Sequence, residues 1–131
     1  MSFDLELLEK IKKIREPWSV NGVAEIAGKT MLKDEKYIKA TEEWIKDEKV
    51  WFYRELLKID NITTFETETN FILVKLLKMT SNEVRNEMIK EGVLVRDASN
   101  FKFLDEKYIR LAIKDRTRNE IVLKSLKKVV E

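Results

Sequence analysis

Apolar positions along this chain change their period near residue 60, from the three-to-four spacing of helices to the alternation of strands. Leu7, Ile11 and Ile14 recur at i, i+4 and i+7 and predict a first helix from Asp4 to Arg15. Pro17 ends it, because proline disfavours helix at the residue before it. Ser19 or Asn21 can then cap a second helix, in which Val23, Ala24, Ile26, Ala27, Met31 and Leu32 fall on helical spacing. Gly22 and Gly28 cost that helix about 1 kcal/mol each relative to alanine unless a boundary or close packing requires them. Asp34 is a good N-cap for a long third helix, from Glu35 to Lys58. Its stripe is Ile38, Ile45, Phe52, Leu56 and Ile59, with Tyr37, Trp44 and Trp51 widening the apolar face. That aromatic row predicts core; the alternative is a face built to meet another domain, and exposed here.

Beyond the turn signal Asp60-Asn61, β-branched and aromatic residues predict strands at Ile62–Phe65 and Asn70–Leu76. Thr80-Ser81-Asn82-Glu83 is a capping-box pattern opening a helix through Val84 and Met88, which Gly92 stops. Strands at Val93–Arg96 and Tyr108–Ile113 follow. A second capping box from Thr117 to Glu120 predicts a last helix with the stripe Val122, Leu126, Val129 and Val130. The layout is α+β: three helices, then β-β-α-β-β-α, with an antiparallel or mixed sheet covered on one face by helices.

Composition narrows the function. The 131 residues suit one core, and 26 basic against 24 acidic residues, well interspersed, give no basic patch for nucleic acid or an anionic membrane. The chain has no cysteine and no histidine, which removes disulfides, thiolate zinc sites, cysteine nucleophiles, the commonest general base and metal ligand, and every Ser-His-Asp arrangement. No apolar stretch approaches the roughly 20 residues that span a bilayer, and acidic residues stand where a signal peptide would be basic. A cytoplasmic location is expected. Ala27-Gly28-Lys29-Thr30 imitates the end of a phosphate-binding loop, but its glycine spacing is wrong and no strand precedes it, so Lys29 reads as a helix-surface lysine.

Two arginines remain. If Ile109, Leu111 and Ile113 face the helices, Arg110 emerges on the opposite face of its strand, beside the small Ala112. Arg96 ends the strand before it, next to Asp97. A guanidinium fork fits a carboxylate or phosphate bidentately, so the two predict a doubly anionic ligand held between converging forks on one side of the sheet. The plainer alternatives are an exposed or ion-paired Arg110, and an Arg96 neutralised by Asp97.

Several segments together resemble one family. Arg15-Glu16-Pro17-Trp18-Ser19-Val20-Asn21 is similar to R-x-P-W-x-V-N, and Tyr37-Ile38-Lys39-Ala40-Thr41 to Y-I-x-x-T. Thr69-Asn70-Phe71-Ile72-Leu73-Val74 is similar to A-N-F-[IL]-[LF]-V. Gly92-Val93-Leu94-Val95-Arg96-Asp97 and Tyr108-Ile109-Arg110-Leu111-Ala112-Ile113 match two arginine-bearing strands. The family is the class I/II aminotransferase group of pyridoxal-phosphate enzymes, whose C-terminal small domain this chain resembles, with histidinol-phosphate aminotransferase and threonine-phosphate decarboxylase as the branches. The resemblance implies residues 1–33 as an inter-domain connector and 34–131 as the small domain. It implies that Arg110 binds the substrate α-carboxylate and that Arg96 helps bind a side-chain phosphate, in a homodimeric enzyme acting on a phosphorylated amino-acid-like molecule. One departure leaves aminotransfer and decarboxylation open: where the family often has a Gly-containing turn, this chain has Asn100-Phe101-Lys102-Phe103-Leu104.

The family's Schiff-base lysine lies in an S-x-S-K-type segment, and no such segment occurs in this sequence. The expectation is a free-standing or truncated C-terminal domain without a catalytic or cofactor-binding residue of its own, binding no pyridoxal phosphate alone and self-associating through its helices. The rival is a non-enzymatic binding or assembly module that reuses the fold.

Overall fold

The computed structural model describes residues 4–14 and 20–131. The Arg15–Ser19 part of the R-x-P-W-x-V-N segment, with the helix stop assigned to Pro17, lies outside the described residues. The chain divides into two compact units, Met1–Ala40 and Thr41–Glu131.

In the first unit, α1 (Leu5–Ile14) and α2 (Gly22–Met31) contain no buried residue. Asn21 caps α2, its side chain accepting from the Ala24 N–H at 2.8 Å, which places Gly22 at the boundary where its flexibility costs little. The third helix, α3 (Glu35–Leu56), starts in this unit and continues into the second. Asp34 caps it by accepting from the Tyr37 N–H at 3.0 Å. The expectation of an aromatic core row fails at its N-terminal end: Tyr37 is 62% exposed and Trp44 40% exposed. The row is seven-spaced along a helix of 3.6 residues per turn, and only its last member, Trp51, stands where the second unit's core lies against it.

The second unit is a sheet with helices on one side. Strands β1 (Ile62–Thr64), β2 (Phe71–Leu76), β3 (Arg96–Asp97) and β4 (Tyr108–Ala112) lie in the order β1-β2-β4-β3, every pair antiparallel. Helices α4 (Ser81–Lys90) and α5 (Arg116–Val130) alternate with them in sequence. Phe52 and Leu56 of α3, Val84 and Met88 of α4, and Leu126 and Val130 of α5 close over Ile72, Val74, Leu76, Ile109 and Leu111. Burial of this aliphatic surface, at roughly 25 cal/mol per Å², is the main force holding the layers together.

Local signals explain most boundaries, and two need correction. The Thr80–Glu83 capping box is present with both reciprocal bonds, and Gly92 takes φ +75°, the left-handed turn glycine permits. Val93–Val95 is not strand. Val93 and Val95 are buried and Leu94 is exposed, so the alternation is real, but the ladder to β4 begins only at Arg96. The last helix does not open on the Thr117–Glu120 box. It starts at Arg116, capped by Asp115, whose carboxylate accepts from the Arg118 N–H at 3.0 Å. A charged acceptor there outcompetes the hydroxyl two residues later.

A buried polar knot ties α3 to α5. Glu48 accepts from Arg116 Nε at 3.0 and 3.2 Å and from Asn119 Nδ2 at 3.1 Å, and Arg116 Nη2 lies 2.8 Å from Glu48 Oε1. The Arg116 guanidinium also stacks 3.8 Å from the Trp51 ring centroid. Asn119 meanwhile accepts from the Lys114 N–H and donates to its carbonyl, fixing the approach to α5.

Candidate functional site

The face of the sheet opposite the core follows from the register. Opposite residues of an antiparallel pair point to one side, so Leu73 and Arg96 flank Arg110, Phe71 pairs with Ala112, and Lys75 stands between Thr63 and Tyr108. Arg96 and Arg110 are direct cross-strand partners, hence on the same face. The strand residues of this face include three cations and no carboxylate.

Arg110 is half-buried and held by aromatic rings. Its guanidinium carbon lies 3.7 Å from the Phe71 ring centroid and 5.4 Å from that of Phe101. Cation–π attraction of this kind holds the guanidinium without using its N–H donors. Its Nε is buried and has no hydrogen-bond partner among the described residues. Beyond it, Phe65 and Tyr108 pack with ring centroids 6.2 Å apart, and the Lys75 ammonium lies 5.7 Å from the Tyr108 ring.

Among the described residues neither arginine makes an ion pair within 4 Å. Among the described residues the ion-paired arginines are Arg116, with Glu48, and Arg118, with Asp115. Asp97 alternates to the other face from Arg96, and its carboxylate accepts from the Ser99 N–H at 2.8 Å and the Ser99 hydroxyl at 3.0 Å. The Ser99 N–H, more than the nearby Arg96 charge, holds the Asp97 carboxyl below its ordinary range. Arg96 is exposed and lines a cavity of about 420 Å³ with Arg85, Leu94, Val95 and Asp97; Arg110 is not among that cavity's walls. The fork positions therefore share a face, but the cavity that takes Arg96 lies at the β3 edge.

Reading by alternation missed the aromatic flank and Arg85. Phe71 was within reach, since it stands on the strand face of Leu73. Phe101 sits in the β3–β4 loop, where no periodicity applies, and it precedes Phe103, whose φ of +73° is the left-handed region that favours glycine. Lys29 pairs with Glu25 on the surface of α2. Among the described residues no group of three or more His, Cys, Asp or Glu side chains could hold a metal, and no helix is long and apolar enough to cross a membrane.

The cofactor implied by the resemblance needs a lysine to capture it. No lysine is buried among the described residues, and no S-x-S-K segment is present.

Comparison with known proteins gives a consistent answer. The model of the class I and II aminotransferase family matches residues 1–126. A protein of Caldanaerobacter subterraneus subsp. tengcongensis, provisionally named threonine-phosphate decarboxylase, is 39% identical over 125 residues, covering 95% of this chain and 34% of that protein. The histidinol-phosphate aminotransferase of Methanosphaera stadtmanae is 32% identical, over 96% of this chain and 35% of its own length. The crystal structure of the histidinol-phosphate aminotransferase from Clostridium acetobutylicum superposes with a TM-score of 0.85 at 38% identity, over 95% of this chain and 37% of that one. The chain spans about a third of the length of the relatives it matches.

Proposed function

This chain belongs to the class I and II aminotransferase family, and we propose that it supplies the anion-reading side of a pyridoxal-phosphate enzyme acting on a phosphorylated amino-acid-like molecule. In this reading Arg110 takes the substrate α-carboxylate and Arg96 the phosphate. The carrying observation is their cross-strand pairing. It fixes the two Cα atoms at about 4.5–5.5 Å, close enough for one small dianion to engage both forks. Phe71 and Phe101 hold the Arg110 guanidinium, which reduces the side-chain freedom lost on binding. When pyridoxal phosphate is supplied by other parts of such an enzyme, it provides the electron sink; these residues bind and orient the substrate. The names of the relatives support both decarboxylation and aminotransfer, and the choice between them stays open. Residues 1–33 serve as the connector and 34–131 as the small domain.

Titration of the chain with O-phospho-L-threonine, followed by calorimetry or amide NMR, tests this. Arg110→Ala should abolish the advantage of phosphothreonine over inorganic phosphate. Equal affinity of the unsubstituted chain for both ligands would sink the reading. Mixed with pyridoxal phosphate, the chain is expected to give no stoichiometric, borohydride-trappable lysine adduct; a single modified lysine would defeat that part.

A second reading, a binding or assembly module without catalysis, is favoured by the exposure of Tyr37 and Trp44 and of the apolar residues of α1 and α2. Both readings predict self-association through helices, which sedimentation at high concentration checks; a strictly monomeric chain counts against it.

A further inference from the structure

Arg85 has no role in the reading above. It is half-buried on α4, and it makes no hydrogen bond, ion pair or ring contact among the described residues. The helix neighbours that face Arg85, three and four residues away, are Ser81, Asn82, Met88 and Ile89, and none is a carboxylate. Glu83 accepts from the Thr80 N–H and hydroxyl, Glu87 pairs with Lys90, and Glu91 pairs with Lys128 across to α5. Asp97, in the wall of the same cavity, accepts from Ser99. The cavity therefore sets two guanidinium-bearing walls, Arg85 and Arg96, against one carboxylate already in use, a net charge of +1. Arginine cannot relieve such crowding by losing its proton. Like charges lining one concavity are stabilised by an anion between them.

We propose that Arg85 and Arg96 form a phosphoryl-anion site at the β3 edge, with Arg85 the residue that completes it. The site takes a tetrahedral oxyanion with two or more free oxygens, either inorganic phosphate or the phosphate of a monoester. Arg96, on the edge strand, reaches it from the sheet, and Arg85 from the helix layer. Leu94 and Val95 supply an apolar wall. Arg110, outside the cavity, is left to the carboxylate. This deepens the proposed function, and rests on it only where the phosphate belongs to the substrate.

The full chain is titrated with inorganic phosphate, with chloride at matched ionic strength as the blank, and with O-phospho-L-threonine. Saturable phosphate binding is expected. Arg85→Ala should weaken it roughly 10- to 100-fold, the scale of charge-assisted hydrogen bonds to one fork. Arg85→Lys, which keeps the charge and loses the fork, should fall between. Arg54→Ala, at the exposed end of α3, should change nothing. Thermal unfolding of each variant guards against misfolding. Phosphate binding by Arg85→Ala equal to that of the unsubstituted chain, or a phosphate response no different from chloride, overturns the proposal. If phosphothreonine binding depends on Arg110 but not on Arg85, this site fails and the proposed function stands. If phosphate binding depends on Arg85 while phosphothreonine gains nothing from its carboxylate, the site stands and the proposed function fails.

Discussion

The two faces of the sheet are built from the same strands and have opposite characters. One carries Ile72, Val74, Leu76, Ile109 and Leu111, all buried under helices. The other carries Phe71, Leu73, Lys75, Arg96, Tyr108 and Arg110, turned away from α4 and α5, with its arginines in no ion pair among the described residues. On β4 the switch occurs at every residue: Ile109 is core, Arg110 is site, Leu111 is core again. The period of two lets one short strand serve stability and recognition without compromise, because each substitution falls wholly on one side.

The strongest way to break that division is to compare neighbours. Ile109→Ala removes a fully buried side chain and should cost about 2–5 kcal/mol in urea unfolding. Arg110→Ala, one residue away, should change stability by less than about 1 kcal/mol, since it loses ring stacking but no ion pair. Comparable losses in both would mean that the open face is structural.

Next in size is the polar knot beneath the covered face. Glu48→Ala leaves Asn119 Nδ2 without one of its acceptors and Arg116 without its counter-charge. The Arg116 side chain is 47% exposed, so water compensates in part. Chemical unfolding should record about 1–3 kcal/mol lost, below the cost of a core truncation.

A smaller effect, of opposite sign, is expected on the open side. Phe103 is 91% exposed and sits at φ +73°. Phe103→Gly relieves backbone strain at the cost of only an exposed ring contact with the Lys102 ammonium, and should raise the unfolding free energy by up to about 1 kcal/mol. A drop in thermal midpoint would show that the ring is held by something outside this chain.

The smallest effect is acidic. The Ser99 N–H lowers the Asp97 carboxyl, the Arg118 N–H lowers Asp115, the Thr80 N–H lowers Glu83 and the Lys49 ammonium lowers Glu68. Their folded values lie below the unfolded ones, so the unfolded chain binds more protons near pH 4. Their stabilisation is complete above about pH 5 and is lost as pH falls through 4 toward the depressed values. With no histidine in the chain, no imidazole adds a step between pH 5 and 8. Urea midpoints against pH check both statements.

How far the sequence speaks depends on whether a feature is local. The Thr80–Glu83 box and the Gly92 stop are decided within a few residues, and both were legible. The face of Arg110 was legible because its strand neighbours are aliphatic. The end of β3 was not, because Val93–Val95 have the alternation of a strand without a neighbour to bond. The cap of α5 offered two acceptors, Asp115 and Thr117, and pattern alone favoured the wrong one. Helix stripes expose the same limit. Leu7, Ile11 and Ile14 on α1 are as regularly spaced as the α5 stripe, yet they are exposed whereas Leu126 and Val130 are buried. Periodicity names an apolar face and does not name what covers it. Arg85 belongs to this class too: its meeting with Arg96 depends on how α4 rotates over the sheet edge, which no residue spacing encodes.

The placing of β4 has a consequence for how the chain is made. The β1–β2 hairpin is complete once Leu76 has been synthesised, but β2 then shows an unpaired edge, and β3 has no strand to join. Both wait for Tyr108–Ala112, which slots between them. During translation, at about 5–20 residues per second, the nascent chain thus passes a few seconds with a bare β2 edge, the template on which strands from other chains pair. Pulse-labelled hydrogen exchange on refolding should find the β3 amide protected together with β4 and never before it. Chains halted before residue 108 should precipitate where those that pass residue 112 do not.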